Sequence, residues 1–279
     1  KSLNENTKNL FQRRIMGLVS YYIGATPDKY ASKTIHYKNI VMDKYHQEVY
    51  EHYEAIEEEK EKLRRKMSKG KVGDDMSTFA SYTRQASNFV FPYINKKVNG
   101  EERPRPGKFR IKDDDAVVVD EGKDVNKRTV LYKSKIAVQE YVKAIKMYIN
   151  ELINYFKDIH RHDKASKHTI TDDIYNFFNK YQGSFTELYA KSKKKSKLLT
   201  AFYNTGPKIV HIIFNILKSP GSVLVYSNYV EMEGLQIFKI FLQFFGYVAF
   251  DENTKKDKSK NGFRYMEFHG SINTKLRET

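Results

Sequence analysis

The stretch that most constrains this chain runs from Pro220 to Phe250. Pro220-Gly221 is a turn signal, and Val223-Leu224-Val225-Tyr226 is a short apolar run rich in β-branched and aromatic residues. With no polar alternation, such a run reads as a strand covered on both faces, as in a parallel sheet. After Asn228 the period changes. Leu235, Phe238, Leu242 and Phe245 recur at helical spacing, and Gly246 is placed to end the helix as its C′ residue. Val248-Ala249-Phe250 then opens another extended run. Strand, helix and strand within about thirty residues make a βαβ unit, which implies an α/β fold with a parallel sheet.

Composition sets outer limits. A chain of 279 residues is long enough for a sizeable core and one or two domains. Its 50 Lys+Arg against 34 Asp+Glu give a formal charge of +16. That balance favours a polyanionic partner, nucleic acid above all, although a biased genome also produces Lys-rich chains. The absence of cysteine excludes disulfides and thiolate metal sites. No apolar run approaches the roughly twenty residues a membrane helix needs, so no membrane partner is expected. The chain opens on Lys1, without an initiator Met or a signal-peptide pattern, and reads as a piece of something longer.

In chain order, Leu10, Ile15, Leu18, Val19 and Tyr22 fall near one helical stripe, with Arg13 and Arg14 beside it. Residues 35–42 alternate loosely and are expected as a strand. Asp43 is placed to cap a helix in which Val49, Tyr53 and Ile56 share a face. From Glu54 to Lys66 that helix becomes densely charged, with mixed i,i+4 pairing. Asn88-Phe89-Val90-Phe91-Pro92 is short and aromatic, and Phe89 and Phe91 are expected in the core. Asp113, Asp114 and Asp115 are adjacent and so point in different directions, which argues for a solvated loop over a metal site. Residues 134–160 carry the clearest helix, with Val138, Tyr141, Val142, Ile145, Ile149, Leu152 and Phe156 on a wide apolar face. His160, His162 and His168 lack zinc-ligand spacing. A further helix is expected over 172–181, and another carries Ile209, Ile212, Ile213, Ile216 and Leu217.

Lys191 to Lys197 is the densest basic run, with Lys193, Lys194 and Lys195 at its centre. It is either a chance cluster in a Lys-rich chain or a set of phosphate contacts that would not read sequence.

Several phrases resemble superfamily-2 helicases and nucleoside triphosphatases of large cytoplasmic DNA viruses, a branch that includes poxvirus nucleoside triphosphatase I and the poxvirus early transcription factor small subunit. Val225-Tyr226-Ser227 followed by Glu233-Gly234 and an aliphatic helix resembles motif IV of the second RecA-like lobe. Arg13 to Tyr22, then Gln47-Glu48-Val49-Tyr50, resemble the way chromatin-remodeller-type translocases leave their first lobe. Asn88 to Pro92 and Thr205-Gly206-Pro207-Lys208 are similar to further phrases of the viral branch.

The resemblance implies an α/β fold, a partial RecA-like (P-loop NTPase-type) second lobe with a mostly helical insertion. Residues 1–66 would be an inter-lobe linker, strand and charged helix. Residues 67–133 would be loop-rich, 134–197 the helical insertion, and 198–279 the start of the second lobe. The family's chemistry is ATP hydrolysis coupled to movement on DNA or RNA, commonly in viral transcription. ATP and Mg²⁺ would belong to the full-length protein. This segment lacks a Walker A loop, a DExx box and motif VI, and is expected to hold neither and to be inactive alone.

Ser227 and Asn228, at the end of the motif IV strand, are the expected backbone-phosphate contacts, because open α/β sheets place ligands at that edge. The alternative is that Ser227 caps the next helix. Arg13 and Arg14 either brace the two lobes or face the nucleotide cleft, or else form a solvated helix face. Viral RNA polymerase or transcription-factor subunits are implied partners, and the virion and viral factory of the host cytoplasm the implied location. Two other readings stay open: a basic nucleic-acid-binding module without catalysis, and a helical module that docks a polymerase or transcription factor.

Overall fold

In the computed structural model the described residues are 34–67, 81–94, 103–105, 109, 125–250 and 262–268. The chain divides into two compact units, Lys1–Asn39 and Ile40–Thr279. Within the first, the described residues 34–39 carry no regular secondary structure. The helix expected around Arg13 and Arg14 lies outside the described residues, as do Asp113, Asp114 and Asp115.

The second unit begins with α1 (Lys44–Met67). Asp43 starts it as expected: its carboxylate accepts from the Tyr45 N–H at 3.4 Å and its carbonyl from the Gln47 N–H at 2.8 Å. Tyr53 is buried, and Val49 and Ile56 pack beside it against α2 (Ser81–Ala86). Glu57 leaves the charged face of α1 and caps α2, accepting from the Tyr82 N–H at 2.7 Å and the Thr83 hydroxyl at 2.8 Å. Residues 35–42, expected as a strand, form no strand among the described residues; Tyr37 and Val41 are exposed.

The long helix α3 (Val125–Ala165) extends further in both directions than the 134–160 expected. Ile145, Tyr148, Ile149, Leu152 and Phe156 are buried, but Val138 and Val142 are exposed because no described element covers that turn. Shorter helices follow: α4 (Ile170–Asn179), α5 (Phe185–Lys191), α6 (Lys197–Thr205), α7 (Pro207–Lys218) and α8 (Leu235–Phe244). One apolar core takes residues from the Phe89–Phe91 phrase, from α3 through α8 and from Tyr247. Its centre is aromatic: Phe202 stacks on Phe241 at 3.9 Å, and Phe156 meets Phe202 edge-on at 4.8 Å. Residues 134–197 and 198–247 therefore share a core, and no gap in packing marks the expected boundary between insertion and lobe.

Helix α8 ends as its sequence requires. Gly246 takes φ +88° and donates to the Gln243 carbonyl, and Tyr247 donates to that of Leu242. The chain then enters β1 (Val248–Ala249), which pairs in parallel with β2 (Arg264–Tyr265) in the register Val248 to Arg264. Tyr265 and Glu267 face α8, through bonds to Gln243 and Lys239. Val248, Phe250, Met266 and Phe268 are exposed.

The first strand of the expected βαβ unit is not formed. Val223–Tyr226 joins no ladder, and Leu224 is 94 % and Tyr226 83 % exposed, against the expectation of a strand covered on both faces. Apolar composition supplies side chains to bury but not the neighbouring backbone a parallel strand must bond to. Among the described residues no strand lies alongside it.

Candidate nucleic-acid interface

The loop between α7 and α8 carries Val225-Tyr226-Ser227 and Glu233-Gly234, and its shape follows from short-range bonds. The Ser227 hydroxyl donates to the Tyr229 carbonyl at 3.0 Å and accepts from the Tyr229 N–H at 3.1 Å. It closes a tight serine turn and does not cap α8. Asn228 is exposed, and its side-chain oxygen accepts from the Tyr226 hydroxyl at 2.8 Å. The structure thus places both residues together at the tip of a surface loop.

Further along, the loop closes on the start of α8. Leu235 N–H donates to the Tyr229 carbonyl at 3.0 Å and Gln236 N–H to the Val230 carbonyl at 2.9 Å. The Gln236 side chain in turn accepts from Met232 N–H at 2.9 Å. Gly234 is required by contact: a Cβ there would stand 2.0 Å from the Tyr229 carbonyl oxygen. Glu233 is buried at 4 % exposure, and its carboxylate meets Arg103, also 4 % exposed, at 2.5 Å. Burial pushes the Glu233 carboxyl above the ordinary carboxylate range, and the neighbouring guanidinium only partly opposes the shift. The Glu-Gly phrase is thus a packing device, one residue buried against a distant arginine and the next pressed against a carbonyl.

Two other phrases meet in space. Lys208 donates to the Asn88 side chain at 2.8 Å, and Val90 N–H donates to the Thr205 carbonyl at 2.8 Å. Partial burial lowers the pKa of Lys208. Phe89 and Phe91 are 1 % exposed, as expected for the core.

The basic run divides by environment. Lys193 and Lys194 are exposed. Lys195 is half-buried and donates to the carbonyls of Tyr189 at 2.8 Å and Ser192 at 3.0 Å, closing the C-terminal end of α5. Lys191 pairs with Glu187 across one helical turn. Two of the central lysines point a charge into solvent, and the third is used by the fold.

Sequence reasoning missed Arg103, Asp163 and Asp173. Asp163, at the end of α3, accepts from the N–H groups of Lys197 and Leu198, each at 2.9 Å, and so caps α6. Asp173 accepts from Ser196 N–H at 3.0 Å and faces His168 at 3.0 Å. An acid in the last turn of a helix opposes the macrodipole, and that was the available signal for Asp163.

The first two N–H groups of α8 are taken by loop carbonyls. Among the described residues no group of three or more His, Asp or Glu could hold a metal ion. No described helix is long and apolar enough to cross a membrane.

Over 279 residues, 99 % of this chain, the sequence is 41 % identical to a protein of Acanthamoeba polyphaga mimivirus named "Putative ATP-dependent RNA helicase R350". The similarity runs the length of this chain. It spans 32 % of the mimivirus protein. No family model matches the chain, and no solved structure matches it.

Proposed function

We propose that this chain is part of an ATP-dependent helicase or translocase of a large DNA virus, of the superfamily-2 type, and that it supplies nucleic-acid backbone contacts from the second lobe. The observation that carries the reading is the 41 % identity, over 99 % of the chain, to a viral protein with a helicase name. ATP with Mg²⁺ would bind outside the described residues, and hydrolysis there would move the lobes relative to each other. The Asn228 amide would donate to a phosphate of one strand, and the Ser227 hydroxyl would do the same by exchanging its bond to the Tyr229 carbonyl for one to a phosphate, neither contact distinguishing bases. Lys193 and Lys194 would add a salt-dependent attraction. Viral transcription is the process this activity would serve.

The same reading assigns the fold. The parallel β1–β2 pair, with α8 on one face and apolar side chains bare on the other, has the character of a sheet that continues. Val223–Tyr226 would join it as a neighbouring strand in the complete RecA-like lobe.

The test is binding of a single-stranded oligonucleotide to the full gene product, followed by fluorescence anisotropy across a salt series. Ser227→Ala with Asn228→Ala is expected to weaken binding about tenfold or more, by the loss of two polar contacts of about 1 kcal/mol each. Lys193→Ala with Lys194→Ala is expected to flatten the salt dependence by about 0.7 per lysine. Lys195→Ala is expected to leave the slope unchanged. Wild-type affinity and slope in the first two variants would remove this surface from the interface.

A further inference from the structure

We propose that Arg103 is a positioning residue for the Ser227–Asn228 tip, acting through Glu233, so that the strap Arg103-Pro104-Arg105 latches the loop before α8 to the α1–α2 hairpin. The inference rests on the reading of that tip as a phosphate contact. The strap is buried along its length. Arg103 reaches Glu233 with Nε at 2.5 Å and the Gln85 side chain of α2 with Nη2 at 2.7 Å, and it also bonds the Tyr141 side chain of α3. Its Nη1 donates to the Pro104 carbonyl at 3.0 Å, which fixes the turn of the strap itself. Arg105 lies over the ring of Tyr82 on α2 at 3.8 Å and of Tyr53 on α1 at 4.7 Å. One tripeptide therefore grips both hairpin helices and the loop.

From Glu233 the contact path to the tip is short and made of hard contacts. Gly234 abuts the Tyr229 carbonyl, which accepts from Leu235, and both backbone groups of Tyr229 bond the Ser227 hydroxyl. A displacement of Glu233 has no soft element to absorb it before Ser227. The α1–α2 hairpin has its own small apolar cluster of Tyr53, Ala86 and Val90, separate from the main core. Val90 N–H on the Thr205 carbonyl and the Tyr45 hydroxyl on the Phe91 carbonyl tie this hairpin to the main core, and the strap adds a separate tie from the hairpin to the loop. Residues packed for bulk stability do not need this arrangement: a buried ion pair is a poor way to gain stability, whereas a fixed register is its best-attested use.

The experiment uses the full gene product with Arg103→Met, Arg103→Lys and Glu233→Gln. Two quantities are read: hydrogen exchange of the Leu235 and Gln236 amides, and the single-stranded oligonucleotide concentration that half-saturates stimulation of ATP hydrolysis. Arg103→Met is expected to speed exchange at those two amides about tenfold or more, and to raise the half-saturating concentration by a similar factor. Exchange at Leu199 and Val210, in the main core, and the unstimulated rate are expected to stay at wild type. Arg103→Lys keeps the charge beside Glu233 but cannot bond Gln85 as well, and is expected to restore only part of both quantities.

Faster exchange throughout the core would make the pair a stability element and overturn the latch. Unchanged exchange at Leu235 and Gln236 in both Arg103→Met and Glu233→Gln would overturn it as well. If exchange at the loop rises but the oligonucleotide response stays, and Ser227→Ala also leaves that response unchanged, the phosphate-contact reading has failed. A loosened loop with an unchanged response, where Ser227→Ala does weaken the response, would overturn the coupling alone.

Discussion

Replacing glycine by alanine at three positions should give three different costs, each set by a different physical cause. At Gly234 the new Cβ would stand 2.0 Å from the Tyr229 oxygen, 2.3 Å from its carbonyl carbon and 2.8 Å from its Cβ. The obstacle is backbone, so it cannot rotate aside. The loop must back away from α8, which breaks the Leu235–Tyr229 and Gln236–Val230 hydrogen bonds at about 1 kcal/mol each and adds over-packing of about 1–3 kcal/mol. Gly234→Ala should therefore cost about 3–5 kcal/mol. At Gly246 nothing lies within 4 Å, but φ is +88°, so alanine pays only the left-handed backbone penalty of about 1 kcal/mol. At Gly221 there is neither a neighbour within 4 Å nor a positive φ, and the change should stay within about 0.5 kcal/mol. Urea unfolding followed by far-ultraviolet circular dichroism reads the order directly. With a slope of about 2 kcal/mol/M, Gly234→Ala should lower the midpoint by about 2 M and Gly246→Ala by about 0.5 M. A Gly234→Ala midpoint within about 0.3 M of wild type, or one above that of Gly246→Ala, would refute the contact argument.

Two further predictions concern buried polar groups. Asp163→Ala removes the acceptor of the Lys197 and Leu198 N–H groups at a site 1 % exposed, and should cost about 3 kcal/mol in the same unfolding assay, with exchange rising first at the start of α6. His46 is fully buried with Nε2 on the Ala86 carbonyl at 2.7 Å, and burial holds its pKa below 6.5. The folded state therefore binds fewer protons than the unfolded one, so this contribution to stability is intact above 6.5 and is lost as pH falls from there toward the lowered value. A His46→Gln variant should lack that acid loss, and parallel pH titrations of both proteins would check it.

Legibility in the sequence followed the range of the interaction. Helix α8 and its end at Gly246 were readable because an apolar period and a left-handed glycine are local facts. Asp43 as the start of α1, and Phe89 and Phe91 as core residues, were readable for the same reason. The apolar run Val223–Tyr226 was a different matter. Its composition suits a buried strand, but strand formation depends on a partner that composition does not specify. Arg103 was invisible because its value lies in Glu233, Gln85 and the shape of a strap, all distant in sequence or set by tertiary contact. Asp163 left one trace, an acid in the last turn of a helix, but its two donors lie on another helix. Lys193 and Lys194 could not be told from Lys195 until the end of α5 placed carbonyls within reach of only one of them.

The most direct test of the central claim is ATP hydrolysis by the full gene product, measured with and without single-stranded RNA and DNA, for wild type and for Ser227→Ala with Asn228→Ala. The expected result is hydrolysis that nucleic acid stimulates, and a stimulation that the double substitution shifts to higher nucleic-acid concentration while leaving the unstimulated rate in place. Absence of hydrolysis, or hydrolysis indifferent to nucleic acid, would contradict it.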